Sequence, residues 1–327
     1  MRQKAWIVET PGGEFHAVES PPPQLEINQV LVRIAASGVN PIDGKIRAGK
    51  AAHAKQPLPA VLGLDMAGTV EAVGGGVATF KTGDEVYGMV GGVGGLQGTL
   101  AKFTAADAAL LALKPKNLSM REAAALPLST ITAWEGLVDR AKVGANHNVL
   151  IHAGAGGVGY IAIQVARAFG AEVFATVSAD KKNVVESVGA TAIDYRSATV
   201  EDYVANYTSG KGFDIIFDTV GGATLDASFA AVKRYTGHVV SILGWGTHSL
   251  APLSFRGATY SGVFTLFPLI SGEARERLGE ILARAASLAE AGKLKPLLSE
   301  RRFSLADIGA AYDVVESGSL GKVVVEF

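Results

Sequence analysis

The glycines at 154, 156 and 159 constrain this chain more than any other feature. They lie in NVLIHAGAGGVGYIAIQVARAFGAEVFATVS, residues 148–178, which reads as strand, tight turn, helix, strand. Val149, Leu150 and Ile151 supply the short apolar run of a buried parallel strand. Ile161, Val165 and Phe169 then recur at helical spacing, Gly170 closes the helix, and Val173–Val177 is a second strand rich in β-branched residues. In G-x-G-x-x-G the first glycine permits the turn and the second lets backbone amides approach a pyrophosphate. The third lets the helix pack on the strand. A chain with 40 glycines produces that spacing by chance, so the flanking strand and helix carry the inference. They point to a dinucleotide held at a helix N-terminus, where unpaired N–H groups and the dipole favour negative charge.

Around this unit the pattern continues. From 148 to about 262, five strand candidates (NVLIHAG, AEVFATVS, ATAIDY, FDIIFDTVG and GHVVSIL) alternate with helical segments, the signature of an α/β doubly wound parallel sheet. Residues 1–125 differ: short β-rich segments at Lys4–Glu9, Gln29–Ala35, Gly68–Val73 and Glu85–Met89 are punctuated by PGG, PPP and VGGGV. GMVGGVGGLQG, 88–98, reads as a mobile loop or as the border of a site. MREAAALPLSTITAWEGLV, 120–138, is helical and broken at Pro127, and RERLGEILARAASLAEAG, 275–292, is an amphipathic helix. KVVVEF closes the chain as a strand.

Composition removes other classes. A net charge of −1 favours neither nucleic acid nor an anionic membrane surface. No apolar run approaches the ~18 residues of a membrane span. MRQKAWIVETPGGEF lacks the apolar core of a signal peptide, so a cytoplasmic address is expected. Zero cysteines exclude disulfides, a cysteine nucleophile, Fe–S ligation and thiolate zinc sites. The six histidines lack H-x-x-x-H spacing, and no metal site is expected.

SGVNPIDGKIRAG (37–49), VLGLDMAGTV (61–70), TGDEVYG (82–88), HAGAGGVG (152–159), GHVVSILG (237–244) and GKVVVEF (321–327) together resemble the medium-chain dehydrogenase/reductase superfamily. Within it they are most similar to the zinc-independent quinone oxidoreductase (zeta-crystallin-like) branch. The resemblance implies a GroES-like β-rich catalytic domain, residues 1–125 completed by 264–327, and a Rossmann nucleotide-binding domain, 126–263. Nicotinamide and substrate would meet in a cleft between them, and a homodimer is implied. Where zinc alcohol dehydrogenases place a catalytic cysteine this chain has Ser37, and their Gly-His-Glu becomes Gly63-Leu64-Asp65. Without that Lewis acid an alkoxide is hard to stabilise, which disfavours simple alcohol oxidation.

The implied function is NADPH-dependent hydride transfer to a quinone or related electron-poor carbonyl compound. An enoyl or alkenal double-bond reductase is the alternative within the enzyme class. A non-catalytic, crystallin-like NADPH-binding protein is the alternative outside it. The implied cofactor contacts are Thr132, the turn Gly154, Ala155, Gly156, Gly157, Val158 and Gly159, then Ser178, Lys181 and Tyr195 for a 2′-phosphate, with Leu243 and Phe264. Asp180 would instead serve NAD, and a helix cap with solvated lysines is the bland reading of the same residues. Asn40, Asp43 and Lys45 form the implied catalytic loop, Asp43 reading equally well as a helix cap. The branch usually has a tyrosine where Lys45 stands, so Lys45 and His53 are the candidate proton donors for an enone, while Tyr87 reads as core. Arg47 reads as a structural ion pair. Trp245, Phe264 and Phe267 are candidates for an apolar substrate slot.

Overall fold

Local apolar pattern and glycine spacing become elements as follows in a computed structural model describing residues 2–327. The amino-terminal stretch supplies strands β1 (Gln3–Val8), β2 (His16–Ser20), β3 (Gln29–Gly38), β4 (Ala60–Val61), β5 (Asp65–Val73), β6 (Glu85–Met89), β7 (Phe103–Asp107) and β8 (Leu111–Leu113). Its helices are α1 (Pro41–Arg47), α2 (Met120–Ala124) and α3 (Pro127–Trp134). The middle supplies strands β9 (Asn148–Ile151), β10 (Glu172–Val177), β11 (Thr191–Asp194), β12 (Ile215–Asp218), β13 (His238–Ser241) and β14 (Thr259–Gly262). Between them run α4 (Gly157–Ala168), α5 (Lys182–Glu186), α6 (Val200–Thr208), α7 (Ala223–Ala231) and α8 (Ala251–Arg256). The chain ends with α9 (Phe267–Ser271), α10 (Arg275–Glu290), β15 (Phe303–Ser304), α11 (Ile308–Glu316) and β16 (Val324–Glu326).

Two compact units result, one from the residues up to Ile131 together with Leu266–Phe327, the other from Thr132–Thr265. The resemblance implies crossings at 125/126 and 263/264, and the compact units divide at 131/132 and 265/266. The first division falls inside α3, where Pro127 opens a helix that runs on to Trp134 and no turn residue marks the change.

In the first unit a seven-stranded sheet has the order β15-β16-β3-β5-β6-β8, with β7 also on β3, and β2-β1-β4 form a smaller antiparallel sheet. Val30, Val32, Ile34 and Ala36 alternate along β3 and are all buried, as the two-residue period of a strand requires. Helix α10 lays Leu278, Ile281 and Leu282 into this core. It approaches so closely that a Cβ on Gly279 would lie 2.5 Å from the carbonyl oxygen of Ala109. Tyr87 is core, its hydroxyl donating to the Leu282 carbonyl at 2.7 Å. The glycine-dense 88–98 segment is not an exposed loop: residues 88–93 are buried, and a Cβ on Gly98 would lie 2.3 Å from the Leu62 carbonyl oxygen. Those glycines serve close backbone approach.

The second unit is a six-stranded parallel sheet in the order β11-β10-β9-β12-β13-β14. Strand order therefore reverses between β9 and β12, the place where open α/β sheets bind ligands beyond the strands' carboxyl ends. Leu150, Phe174, Phe213, Ile216, Phe229 and Val239 anchor its core, each contributing roughly 1.5–3 kcal/mol on burial. The sixth strand, β14, falls outside the five strand candidates, within the 237–264 stretch that could supply a strand for pairing two nucleotide domains, because TYSG has no buried residue and so no apolar run. No described helix is long and apolar enough to cross a membrane.

Candidate active site

At the end of β9 the chain turns through Ala153 (φ 52°) into α4. A Cβ on Gly154 would lie 2.7 Å from the Cβ of Ala175 on β10, and one on Gly159 would lie 2.3 Å from the carbonyl oxygen of Ala153. Glycine is thus a packing requirement at both positions. Gly156 is the N-cap of α4, no side chain caps it, and Gly156 and Gly157 are exposed while Ala155 and Val158 are half-buried. The first turn of α4 therefore presents uncapped N–H groups at the strand reversal, a cradle that fits a diphosphate.

Beyond β10 and β11 lies a second charged group. Ser178 hydrogen-bonds Asp180, which together with the nearby Lys181 and Arg196 charges holds the Asp180 carboxyl below the usual range. Tyr195 is 54% exposed, with the Arg196 guanidinium 5.6 Å from its ring centroid. The structure thus brings Ser178, Lys181 and Tyr195 into one neighbourhood and adds Arg196. The signal for Arg196 was in the sequence, a cation directly following Tyr195 in a strand-end turn. Thr132 and Thr265 are buried with their hydroxyl oxygens 3.0 Å apart. The Leu243 N–H is committed to Ser241 Oγ at 3.1 Å, which leaves its carbonyl and side chain for contacts. Trp245 and Phe264 are 57% and 38% exposed and do not belong to the core of this unit.

In the first unit Asn40, Asp43, Asp65 and Lys322 are buried together. Asn40 Nδ2 donates to Asp65 Oδ2 at 3.0 Å, Lys322 Nζ donates to Asn40 Oδ1, and Lys322 Nζ lies 3.4 Å from Asp65 Oδ2. The Leu128 N–H completes the set at 2.9 Å from Asp65 Oδ1. One Nδ2–H and one Oδ1 lone pair of the Asn40 amide are thus used within this cluster. Asp43 Oδ2 caps α1, accepting the Asn40 N–H at 2.8 Å, and Oδ1 has no partner. Burial pushes the Asp43 carboxyl up to about 7, and burial also raises Asp65, against the opposing pull of the Lys322 charge. Lys45, two residues further along α1 and on its opposite face, is exposed, and His53 is half-buried. Among the described residues Arg47 makes no ion pair: it donates to the Gly13 carbonyl at 2.9 Å and lies 5.0 Å from the Phe15 ring centroid. Phe267 of this unit is 48% exposed.

A family model described as an alcohol dehydrogenase GroES-like domain matches residues 26–116, and one described as a zinc-binding dehydrogenase matches 188–325. An NADPH-dependent alkenal/one oxidoreductase of Arabidopsis thaliana chloroplasts is 37% identical, over 98% of this chain and 79% of the relative. The chain is a medium-chain dehydrogenase/reductase. A solved structure, an alcohol dehydrogenase superfamily protein from Novosphingobium aromaticivorans, is 55% identical with a TM-score of 0.97 over 99% of each chain. The quinone oxidoreductase from Coxiella burnetii is 28% identical with a TM-score of 0.83 over all of both chains. As a medium-chain reductase the protein is an oxidoreductase with a Rossmann-type nicotinamide-cofactor domain, and the uncapped turn of α4 fits that cofactor. Zinc fits poorly. Ser37 Oγ is hydrogen-bonded to Thr99 Oγ1 at 2.6 Å, Leu64 is apolar and buried, and the Asp65 carboxylate is engaged by Lys322, Asn40 and Leu128.

Proposed function

We propose that this medium-chain reductase uses NADPH, without zinc, to transfer hydride to a quinone or, at the conjugated double bond, to an α,β-unsaturated carbonyl compound. One observation carries the reading: the uncapped first turn of α4 at the strand reversal stands beside Lys181, Arg196, Ser178 and Tyr195, with Asp180 among them, at the ends of β10 and β11. The relatives' printed activities, alkenal/one and quinone oxidoreduction, support the acceptor class.

The α4 amides hold the diphosphate, and Lys181, Arg196, Ser178 and Tyr195 hold a 2′-phosphate that NAD lacks. The bound cofactor supplies a hydride. The residues at 37, 64 and 65 offer no Lewis acid to stabilise an alkoxide, so the reaction proceeds where negative charge delocalises, at a quinone or an enone. Rate enhancement then rests on proximity and orientation. A quinone takes its protons from water, whereas an enone needs one at its α-carbon, for which exposed Lys45 of α1 and half-buried His53 are the candidates. The same reading includes a cytoplasmic address, since zero cysteines leave no disulfide needing an oxidising compartment. It includes a homodimer built on β14, which among the described residues is bonded to β13 alone and offers an open edge.

The test is reduced-cofactor consumption by the purified protein across a panel of quinones and enones, with NADPH and NADH compared. Turnover with NADPH preferred is expected, and Lys181→Ala should cost roughly tenfold of that preference, the ~1.4 kcal/mol scale of one charge-assisted contact. Tight NADPH binding with no acceptor consumed would favour the crystallin-like binding role instead. No binding would overturn the reading of the glycine turn.

A further inference from the structure

Asp218 is completely buried at the carboxyl end of β12, on one flank of the strand reversal. Four donor contacts converge on its carboxylate. The Val220 N–H reaches Oδ1 at 3.0 Å, the Gly221 N–H reaches Oδ1 at 3.0 Å and Oδ2 at 3.2 Å, and the Ser241 hydroxyl donates to Oδ2 at 2.7 Å. Ser241 ends β13 directly beside Asp218 in the parallel register. Its Oγ also accepts the Leu243 N–H at 3.1 Å. The carboxylate therefore ties together the two loops that follow β12 and β13. Those loops touch: Gly221 has φ +79°, and a Cβ there would lie 2.4 Å from the Leu243 carbonyl oxygen. Their tips face outward, with Val220 46% exposed and residues 244–247 exposed.

The arrangement is selective for a carboxylate, because every partner is a donor and only two acceptor oxygens serve all of them. Among the described residues no lysine or arginine hydrogen-bonds it. The imidazole facing it across the strand reversal, His152, is pushed down to about 4 by burial and stays neutral. A charge kept in the interior by backbone amides and one hydroxyl is a costly way to close two turns. The return is a backbone fixed before a ligand arrives.

A doubly wound sheet binds one mononucleotide on each half. Here the glycine turn and the Lys181 cluster belong to β9–β11, and the Asp218 loops belong to β12–β14. We propose that Asp218 and Ser241 are positioning residues which, through the 219–222 and 242–244 backbones, fix the contacts of the nicotinamide-bearing half of the cofactor. This rests on the nucleotide reading above, and the acceptor plays no part in it.

The test compares NADPH with 2′,5′-ADP, which carries the adenosine and 2′-phosphate but no nicotinamide half, by equilibrium titration. Ser241→Ala unhooks Leu243 from Asp218 and should weaken NADPH roughly tenfold, about the worth of a buried hydrogen bond. Its 2′,5′-ADP affinity should stay within about twofold, and Ser241→Thr, which retains the hydroxyl, should recover most of the loss. Asp218→Asn should show the same imbalance more strongly. Equal weakening of both ligands, or of neither, in folded Ser241→Ala would overturn the assignment. Wild-type protein that binds NADPH yet reduces no acceptor would sink the reductase reading while leaving the ratio of the two affinities to decide this one.

Discussion

Lys322→Met is expected to lower the melting temperature of the unit that contains it by roughly 6–12 °C near pH 8. The expectation follows from charge balance. Asp43 and Asp65 are completely buried, and Lys322 is the cation buried with them. Removing one partner of a buried pair costs about 3–5 kcal/mol. The lower end applies here, because Asp65 keeps the hydrogen bonds from Asn40 and Leu128. In a unit of this size ~3 kcal/mol moves the transition by about 2–4 °C per kcal/mol.

The sign with pH is fixed by the carboxyls. Both have folded-state pKa values raised above 3.8, Asp43 to about 7, so folding takes up protons and stability falls as pH rises through that window. The Lys322 charge opposes both shifts, and its loss drives both carboxyls further up. The deficit of the variant is therefore smallest in acid, where neutral carboxyls need no counter-charge, and grows as pH rises through about 7 and beyond. Thermal melts of both proteins from pH 5 to pH 8 read this directly. A melting difference independent of pH, or none at pH 8, would show that Lys322 does not carry the charge balance of the cluster.

Gly159→Ala is expected to weaken NADPH binding on the order of a hundredfold, ~2.8 kcal/mol, and to cost about 1–3 kcal/mol of stability through overpacking. Its new Cβ would lie 2.3 Å from the Ala153 carbonyl oxygen and 3.0 Å from the Gly154 Cα, backbone atoms that move only if the turn opens. Gly309→Ala in α11 is the control, since nothing lies within 4 Å of a Cβ there. That variant should bind NADPH normally and melt no lower than wild type. Unchanged NADPH affinity in Gly159→Ala would mean that the first turn of α4 is not where the diphosphate sits.

These two sites differ in how far the sequence reveals them. The glycine turn is legible because its parts are contiguous: the strand before, the helix after and the three glycines obey local geometric rules. The β10 and β12 strands are legible for the same reason, each a short run of buried apolar residues. Strand β14 escapes because an edge strand with TYSG exposed or half-exposed needs no apolar pattern. The charged cluster escapes for a different reason. Lys322 lies 282 residues from Asn40 and 257 from Asp65, and no local period relates them. Each reads alone as an ordinary polar residue, and Asp43 reads as the cap that it is. Asp218 is hidden by its setting, since IIFD ends like any strand and its three donors, the Val220 and Gly221 N–H groups and the Ser241 hydroxyl at the end of β13, meet it only on folding. The resemblance of 37–49 and 321–327 to one superfamily brought both halves of the cluster into view, though not their contact.

The most direct measurement of the central claim uses NADPH deuterated at the transferable C4 position and a simple α,β-unsaturated ketone, with the product identified by mass and NMR. Conjugate reduction places the hydride on the β-carbon and a proton on the α-carbon. The account predicts a saturated ketone with one deuterium at the β-carbon and its α-proton drawn from solvent. An allylic alcohol carrying deuterium on its carbinol carbon would contradict it, since that product requires the alkoxide stabilisation that Ser37, Leu64 and the engaged Asp65 do not provide.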